Sequence, residues 1–497
     1  MPKKYFIGLD QGTTGITALL LDENWNAAAR GYKEISQIYP CAGWVEHDAE
    51  EIWQCACETV QQAIAELGAE DTIACIGIDH EGESVVLWDR ETGLPVYNAV
   101  IWQDRRTSQA ADQLKQEHQQ MILDKTGLIV DAYFSATKLQ WLLRNVERAQ
   151  ELAKSGRLLA GTMDTWLVWK MTGGRVHITD ASTASRTMLF NIHTGDWDQD
   201  LLDLMEIDRG ILPEICDSAQ MYGYTDPGAF LGLKVPISSV MVDQQAALFG
   251  QTCITPGMVK TTYGTGCFML MNTGDVPTRS EHGLLTSVAW QLNGKRTYFL
   301  DGAIYISGAA IQWLRDGLKI VSSAAETEQR ARSVENTNGV YFVPSFTGLA
   351  APYWDSYARG TMVGITAGTT QEHIIRAALE ASAYQVKDVL DRMVRDTNVP
   401  ISVMRCDGGA TANGFLMQFQ SDILGIPLDI PKITETTALG AAYMAALGVG
   451  EFSDPADVCK HWALDRRYEP RMSADQRESL LFYWHRAVER ARNWALD

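Results

Sequence analysis

The chain has 497 residues, too many for one core, and at roughly 150 residues per domain a pair of large lobes is the economical division. Hydrophobic residues make up 46% and charged residues 21%, ordinary globular proportions that argue against long disordered stretches. A formal charge of −20 excludes a general affinity for nucleic acid or anionic membrane, and leaves as partner a neutral small molecule or an anion met at a shielded, metal-assisted site.

In chain order, Tyr5–Asp10 reads as an apolar strand, turns through Gln11-Gly12-Thr13-Thr14, and resumes as a strand over Ile16–Leu21. Asp48 with Glu51 predicts an N-terminal capping box. Ile52, Ala56, Val60, Ala63 and Leu67 follow at helical spacing up to Gly68. Thr72–Ile78 and Val85–Trp88 predict two strands around a polar loop, residues 79–83. The second half opens on another strand pair, Met258–Thr262 and Phe268–Met271, around Tyr263-Gly264-Thr265-Gly266. Helical spacing returns from His373 to about Arg395. Val403–Cys406 then enters Asp407-Gly408-Gly409, ahead of a helix carrying Phe415, Leu416, Phe419 and Ile423. This alternation predicts an α/β fold. Gly250 and Pro256 place the boundary between lobes 1–250 and 251–497.

The nine cysteines are scattered without a C-x-x-C pair, which predicts reduced thiols rather than disulfides or a zinc site. No secretory signal and no apolar run of about 18 residues is visible, so the expectation is a soluble, cytoplasmic protein. There is no G-x-x-x-x-G-K-[ST], no G-x-G-x-x-G between strand and helix, no H-E-x-x-H and no G-x-S-x-G. P-loop NTPase, Rossmann dehydrogenase, zinc protease and serine hydrolase readings therefore lack support. Two Gly/Thr turns and one Gly-Gly turn present backbone N–H groups and small hydroxyls, as a polyphosphate requires. Singly, each is an ordinary hairpin turn; together they suggest two lobes closing on one nucleotide.

These stretches carry a resemblance. Gly8–Thr14, Gly43–Asp48, Tyr133–Lys138, Ser182–His193, Asp243–Gly250, Tyr263–Phe268, Gly360–Glu380 and Asp407–Gly409 are similar to the FGGY carbohydrate kinases, and among them the glycerol kinases, over essentially the whole length. The resemblance implies an actin-like fold of two ribonuclease-H-like lobes with the active site in the cleft between them. It also implies transfer of the ATP γ-phosphoryl group to a small polyol or sugar with Mg²⁺ present, and a homodimer or homotetramer. Matched residue by residue, Asp243 is the general base; a helix N-cap is its ordinary alternative. Asp10 and Asp243 are on the metal side. Thr13, Thr14, Thr265, Gly308, Gln312, Gly409 and Asn413 face the nucleotide. Trp102, Tyr133 and Phe268 wall the substrate pocket, with Glu83 and Gln244 toward its hydroxyls.

Two positions depart from that pattern. Where glycerol kinases usually carry Asn-Gln-Arg-Glu, this chain has His80-Glu81-Gly82-Glu83, so a substrate-holding arginine is replaced by Gly82. The loss removes up to five donors and is expected to leave space for a longer polyol, with His80 or Glu81 serving an extra hydroxyl. Thr17 stands where the family often has an arginine after the first phosphate turn, which predicts a different grip on ATP. The leading expectation is phosphorylation of glycerol. A kinase for erythritol, threitol or a ketose, and a nucleotide-gated sensor on the same scaffold, are the alternatives.

Overall fold

The computed structural model describes residues 2–495. In the first half, β1 (Lys4–Gln11), β2 (Gly15–Leu21) and β3 (Ala27–Glu34) form an antiparallel meander; helix α1 (Ala49–Ala63) leads into β4 (Thr72–His80). After a long insertion come β5 (Ala219–Tyr224), β6 (Pro236–Val242) and helix α2 (Asp243–Gly250). The sheet order is β5-β6-β4-β1-β2-β3, with β4 parallel to both β1 and β6.

The second half repeats this plan. β7 (Val259–Tyr263), β8 (Cys267–Gly274), β9 (Leu285–Leu292) and β10 (Lys295–Ile304) are antiparallel neighbours. Helices α3 (Gly308–Asp316) and α4 (Gln371–Thr397) precede β11 (Met404–Asp407). Helix α5 (Gly414–Leu424), β12 (Leu428–Pro431), helix α6 (Thr436–Gly448) and β13 (Leu464–Tyr468) complete it. The order is β9-β10-β8-β7-β11-β12-β13, with β11 parallel to β7 and β12. Strands β3-β2-β1-β4-β6 thus correspond to β10-β8-β7-β11-β12, a duplicated α/β unit.

The predicted strands all form; those expected at Met258–Thr262 and Val403–Cys406 lie one residue later, as Val259–Tyr263 and Met404–Asp407, and the others extend by one to three residues at one or both ends. Helix α1 starts as expected, with Asp48 accepting from the Glu50 and Glu51 N–H groups. The reciprocal half of the box is absent, because Glu51 bonds Ser36 instead. The helix also stops at Ala63, short of Gly68. The residues expected as a polar loop after β4 are a correction: Asp79 and His80 lie within the strand, and His80, Glu81 and Glu83 are buried. They occupy the interior of the cleft, where the insertion covers them. All nine cysteines are unpaired, as expected.

The two units share a core. Helix α2, which ends the first sheet, packs on β7 and β8 of the second as well as on β6, while α6 lies across β1, β4 and β6 of the first. Phe6, Leu19, Met241, Leu270, Phe299 and Tyr443 meet in the resulting cluster. The approach of α6 is backbone-close. A Cβ on Gly8 of β1 would stand 1.8 Å from the Ala438 carbonyl oxygen, and one on Gly440 1.8 Å from that of Ala246. Glycine is required at both places for steric reasons alone. The insertion has its own apolar cluster, including Leu87, Phe134 and Leu201, which reaches Val288 and Tyr298 of the second sheet.

Candidate active site

Strand ends set the site. Asp10 at the end of β1 is in register with Asp79 of β4, and Met241, paired with Asp79, is two residues before Asp243. In the second sheet Thr262 pairs with Asp407, so the Tyr263–Gly266 turn lies beside Gly408 and Gly409. The carboxyl ends of the parallel strands of both sheets therefore supply the site, the usual location in open α/β sheets.

Asp243 is the first residue of α2 and not its N-cap, which is Val242. Its Oδ1 accepts only from the neighbouring Gln244 N–H, at 2.6 Å. Burial pushes its carboxyl up to about 7, helped by the charges of Glu83 and Asp10. Asp10 is pushed up to about 6, again first by burial, although its Oδ2 accepts from Thr437 Oγ1 at 2.8 Å. Asp79 is fully buried with neither carboxylate oxygen partnered. Burial, then the charges of Asp10 and Asp243, hold its carboxyl well above the usual range. Asp10, Asp79 and Asp243 stand on neighbouring strand ends, and the orphaned Asp79 carboxylate fits a cation bound in part through other ligands. Among the described residues no group of three or more His, Cys, Asp or Glu side chains is placed to hold a metal ion by itself. An ion bound here would complete its shell with waters and substrate phosphates, as Mg²⁺ does.

Beside Asp243 lies a small cavity. Five of the residues expected to hold substrate line it: Glu83, Tyr133, Asp243, Gln244 and Phe268. Trp102 stands behind, edge-on to Tyr133 with ring centroids 5.6 Å apart, and its Nε1–H donates to Thr13 Oγ1 at 2.9 Å. Thr13 in turn donates to Glu81 Oε2 at 2.9 Å, so its hydroxyl is tied to the substrate side of the cleft.

Gly82 does not line the cavity, and the expected free space beside it is not there. A Cβ on Gly82 would meet the Val242 methyl carbons at 2.7 and 2.8 Å; Val242 fills that volume and forms part of the cavity wall. His80 and Glu81 do not serve the cavity either. His80 Nε2 pairs with Thr183 Oγ1 at 3.0 Å, and Glu81 Oε1 accepts from Ser84 at 2.8 Å. A guanidinium is nevertheless present: Arg186, buried in the cavity wall, donates from Nε to Glu83 Oε1 at 2.7 Å. Thr17 has a comparable neighbour, since Arg30 Nη2 from β3 donates to its Oγ1 at 3.3 Å and Arg30 Nε donates to Glu435 at 3.0 Å.

The residues expected at the nucleotide divide between two places. Thr14, in the β1–β2 turn, is exposed; Thr265 and Gly308 are joined in the second unit, where the Ala309 N–H donates to the Thr265 carbonyl and the Gly308 N–H to that of Gly264. Gln312 is exposed on α3. A Cβ on Gly409 would meet nothing within 4 Å, so this backbone faces open space. Asn413 caps α5 by accepting from the Leu416 N–H, and its Nδ2 donates to Thr327. Its side chain is thus committed to structure at both ends.

Arg186, Asp301 and Val242 are functional candidates the sequence reasoning passed over. Asp301 had a signal, an acid inside the buried run Tyr298–Ile304. Arg186 had none beyond its place in the stretch Ser182–His193.

Duplicated sheets, three small-residue turns and acidic strand ends beside a small pocket define a phosphotransferase acting on an alcohol group. Residues 5–250 match the N-terminal domain and residues 259–449 the C-terminal domain of the FGGY family of carbohydrate kinases, and the chain belongs to that family. It is 54% identical over 493 residues to glycerol kinase 2 of Thermotoga maritima, covering 99% of each chain. It is also 54% identical over 499 residues to the glycerol kinase of Desulforamulus reducens, covering 100% of each. A crystal structure of Plasmodium falciparum glycerol kinase with ADP superposes with a TM-score of 0.92 at 34% identity, over 99% of this chain and 98% of that one. Gluconate kinase from Lactobacillus acidophilus, at 22% identity and a TM-score of 0.87, shares the fold. Among the described residues no helix is long and apolar enough to cross a membrane.

Proposed function

We propose that the chain phosphorylates glycerol to sn-glycerol 3-phosphate with ATP as donor. The observation that carries this reading is Asp243 at the edge of a small acceptor-rich cavity, beside the acidic strand ends. The relatives' names support glycerol within the family, and the filled volume at Gly82 weakens the case for a longer polyol.

Asp243 takes the proton of a primary hydroxyl as its oxygen bonds the γ-phosphorus and the bond from phosphorus to the β–γ bridging oxygen breaks, releasing ADP. A carboxyl whose proton affinity is raised toward neutrality is suited to that exchange. Asp10 and Asp243, with Asp79 beside them, are the residues that would hold Mg²⁺. The ion would neutralise charge on the phosphate oxygens. Gln244 keeps its position through the Lys260 ammonium, which donates to its Oε1 at 2.6 Å. Backbone N–H groups of the turns at Thr13–Thr14, Thr265 and Gly409 face the polyphosphate, with Gly308 and Gln312 toward the base. Asn413 holds the third turn in place by capping α5.

We take residues 1–250 and 251–497 as the working lobes, the protein as cytoplasmic, and its assembly as a homodimer or homotetramer, on the strength of the family resemblance. ADP release with Mg·ATP tests the substrate across glycerol, dihydroxyacetone, erythritol, threitol, xylitol and ketoses. Glycerol is expected to give the highest kcat/KM. A longer polyol winning by tenfold or more would replace the glycerol reading, and silence across the panel would favour a nucleotide-gated sensor.

A further inference from the structure

The cavity that Asp243 lines also carries a charged cluster that the catalytic step does not use. Arg186 sits there between two acids, donating to Glu83 at 2.7 Å and pairing through Nη2 with Asp301 Oδ2 at 3.2 Å. Its Nη1 donates to Ser287 Oγ at 3.2 Å. All three charged groups are buried, and Arg186 and Asp301 come from different parts of the fold, the insertion and β10. One oxygen is left over. Asp301 Oδ1 is buried, lies on a residue that lines the cavity, and has no hydrogen-bond partner among the described residues. The other nearby cation, Lys260, is already bonded to Gln244 and Thr262.

A buried carboxylate oxygen without a protein donor calls for one, so a ligand that brings an O–H to it gains a hydrogen bond. Glu83, Asp243 and Asp301 make the cavity rich in acceptors, while the only guanidinium is engaged by protein. Such a site receives O–H groups and repels carboxylates and phosphates. Phe268, Phe299 and Val242 give it apolar walls that suit a carbon backbone.

We propose that Asp301 is a substrate-binding residue whose Oδ1 accepts the hydroxyl at the far end of the polyol, with Arg186 as the positioning residue that aims the carboxylate. The site then measures its substrate from both ends: Asp243 at the reacting hydroxyl and Asp301 at the other. The substrate class that follows is a neutral polyol bearing hydroxyls at both termini; acidic sugars and terminally deoxygenated diols are poor substrates. This inference rests on the kinase reading above but not on glycerol in particular.

The test is a subtraction of one hydroxyl. The wild-type enzyme and the Asp301→Ala variant are compared on glycerol and on propane-1,2-diol, which lacks the far hydroxyl, by kcat/KM and by thermal stability. The wild type is expected to prefer glycerol by about 30-fold or more, and Asp301→Ala to lose roughly 10- to 100-fold on glycerol while changing less than about threefold on the diol. Should the alanine variant fail to fold, Asp301→Asn keeps the shape and the bond to Arg186, and is expected to narrow the same preference by about tenfold. Equal losses on both substrates, or no loss on either, would overturn the proposal. So would a wild type indifferent to the missing hydroxyl, a result that needs no variant. If a different polyol proves to be the fastest substrate, the glycerol reading fails and the same subtraction is made with that polyol and its terminally deoxygenated analogue.

Discussion

The two halves of the molecule share one strand order and end in opposite chemistry. In the first, the strand ends carry Asp10, Asp79 and, just beyond β6, Asp243, all with raised proton affinity. In the second, the same places carry Tyr263-Gly264-Thr265-Gly266 and Gly408-Gly409. The carboxylate there, Asp407, is engaged by protein: its Oδ2 accepts from Gln251 at 2.6 Å and from Thr436 at 2.8 Å. A duplicated frame has been divided between an acidic half, suited to a cation and a proton, and a glycine half, whose backbone can approach phosphate. The lesson is that topology places the strand ends, and the residues on them decide the work.

The strongest test of that division is Asp243→Asn. It is expected to lower kcat by about 10² or more while leaving KM for ATP within a few-fold, measured by steady-state ADP release; equal damage to ATP binding would blur the two halves. Next in size is Gly8→Ala, whose methyl group would meet the Ala438 carbonyl. It is expected to cost about 3 kcal/mol in urea denaturation, because backbone cannot yield as a side chain does.

Gly82→Arg should cost roughly 1–3 kcal/mol by overpacking Val242, and Gly82→Arg combined with Val242→Gly should recover most of it. Failure of the double variant to recover would mean the two positions are not coupled. In the glycine half, Gly409→Ala adds a methyl group to open space. Thermal stability should hold while KM for ATP rises about tenfold, near 1.4 kcal/mol, and KM for glycerol stays put.

The smallest effect concerns His47, buried with neither ring nitrogen hydrogen-bonded. Burial lowers its pKa from the usual 6.5 to about 4. The unfolded chain therefore binds the extra proton first, and folding stability falls as pH drops from about 6.5 toward 4. The loss attributable to this group is about 0.7 kcal/mol between pH 7 and pH 6. His47→Gln should flatten that part of the stability profile. An unchanged slope would remove His47 from the account.

Much of this was legible in the residues. Alternating apolar runs and Gly/Thr turns marked both hairpins, and the class of fold followed from them. Five pocket residues were placed by resemblance and do meet around one cavity. The errors share a cause: linear reading assigns space and exposure to each position separately. Gly82 suggested room, but Val242, 160 residues later, occupies it. A missing arginine suggested a missing charge, but Arg186 brings a guanidinium into the cavity from the insertion and Arg30 another to Thr17 from the neighbouring strand. Residues 79–83 looked like a solvated loop because polar side chains usually are, whereas here the insertion buries them. Asp301 was passed over because one acid in an apolar strand has no spacing to announce it.

Helix α6 has a bearing on how the protein is made. It covers the face of the first sheet that contains Gly8 and Gly77, yet it ends only at residue 448. When the ribosome has finished residue 250, the first half has its strands but not this cover. At about 5–20 residues per second the missing helix follows some 10–40 s later. During that interval a chaperone would meet an uncovered sheet surface, and the nascent chain would lack the Thr437 hydroxyl that holds Asp10. The acidic half of the site is therefore completed late, by a segment nearly 200 residues further along the chain.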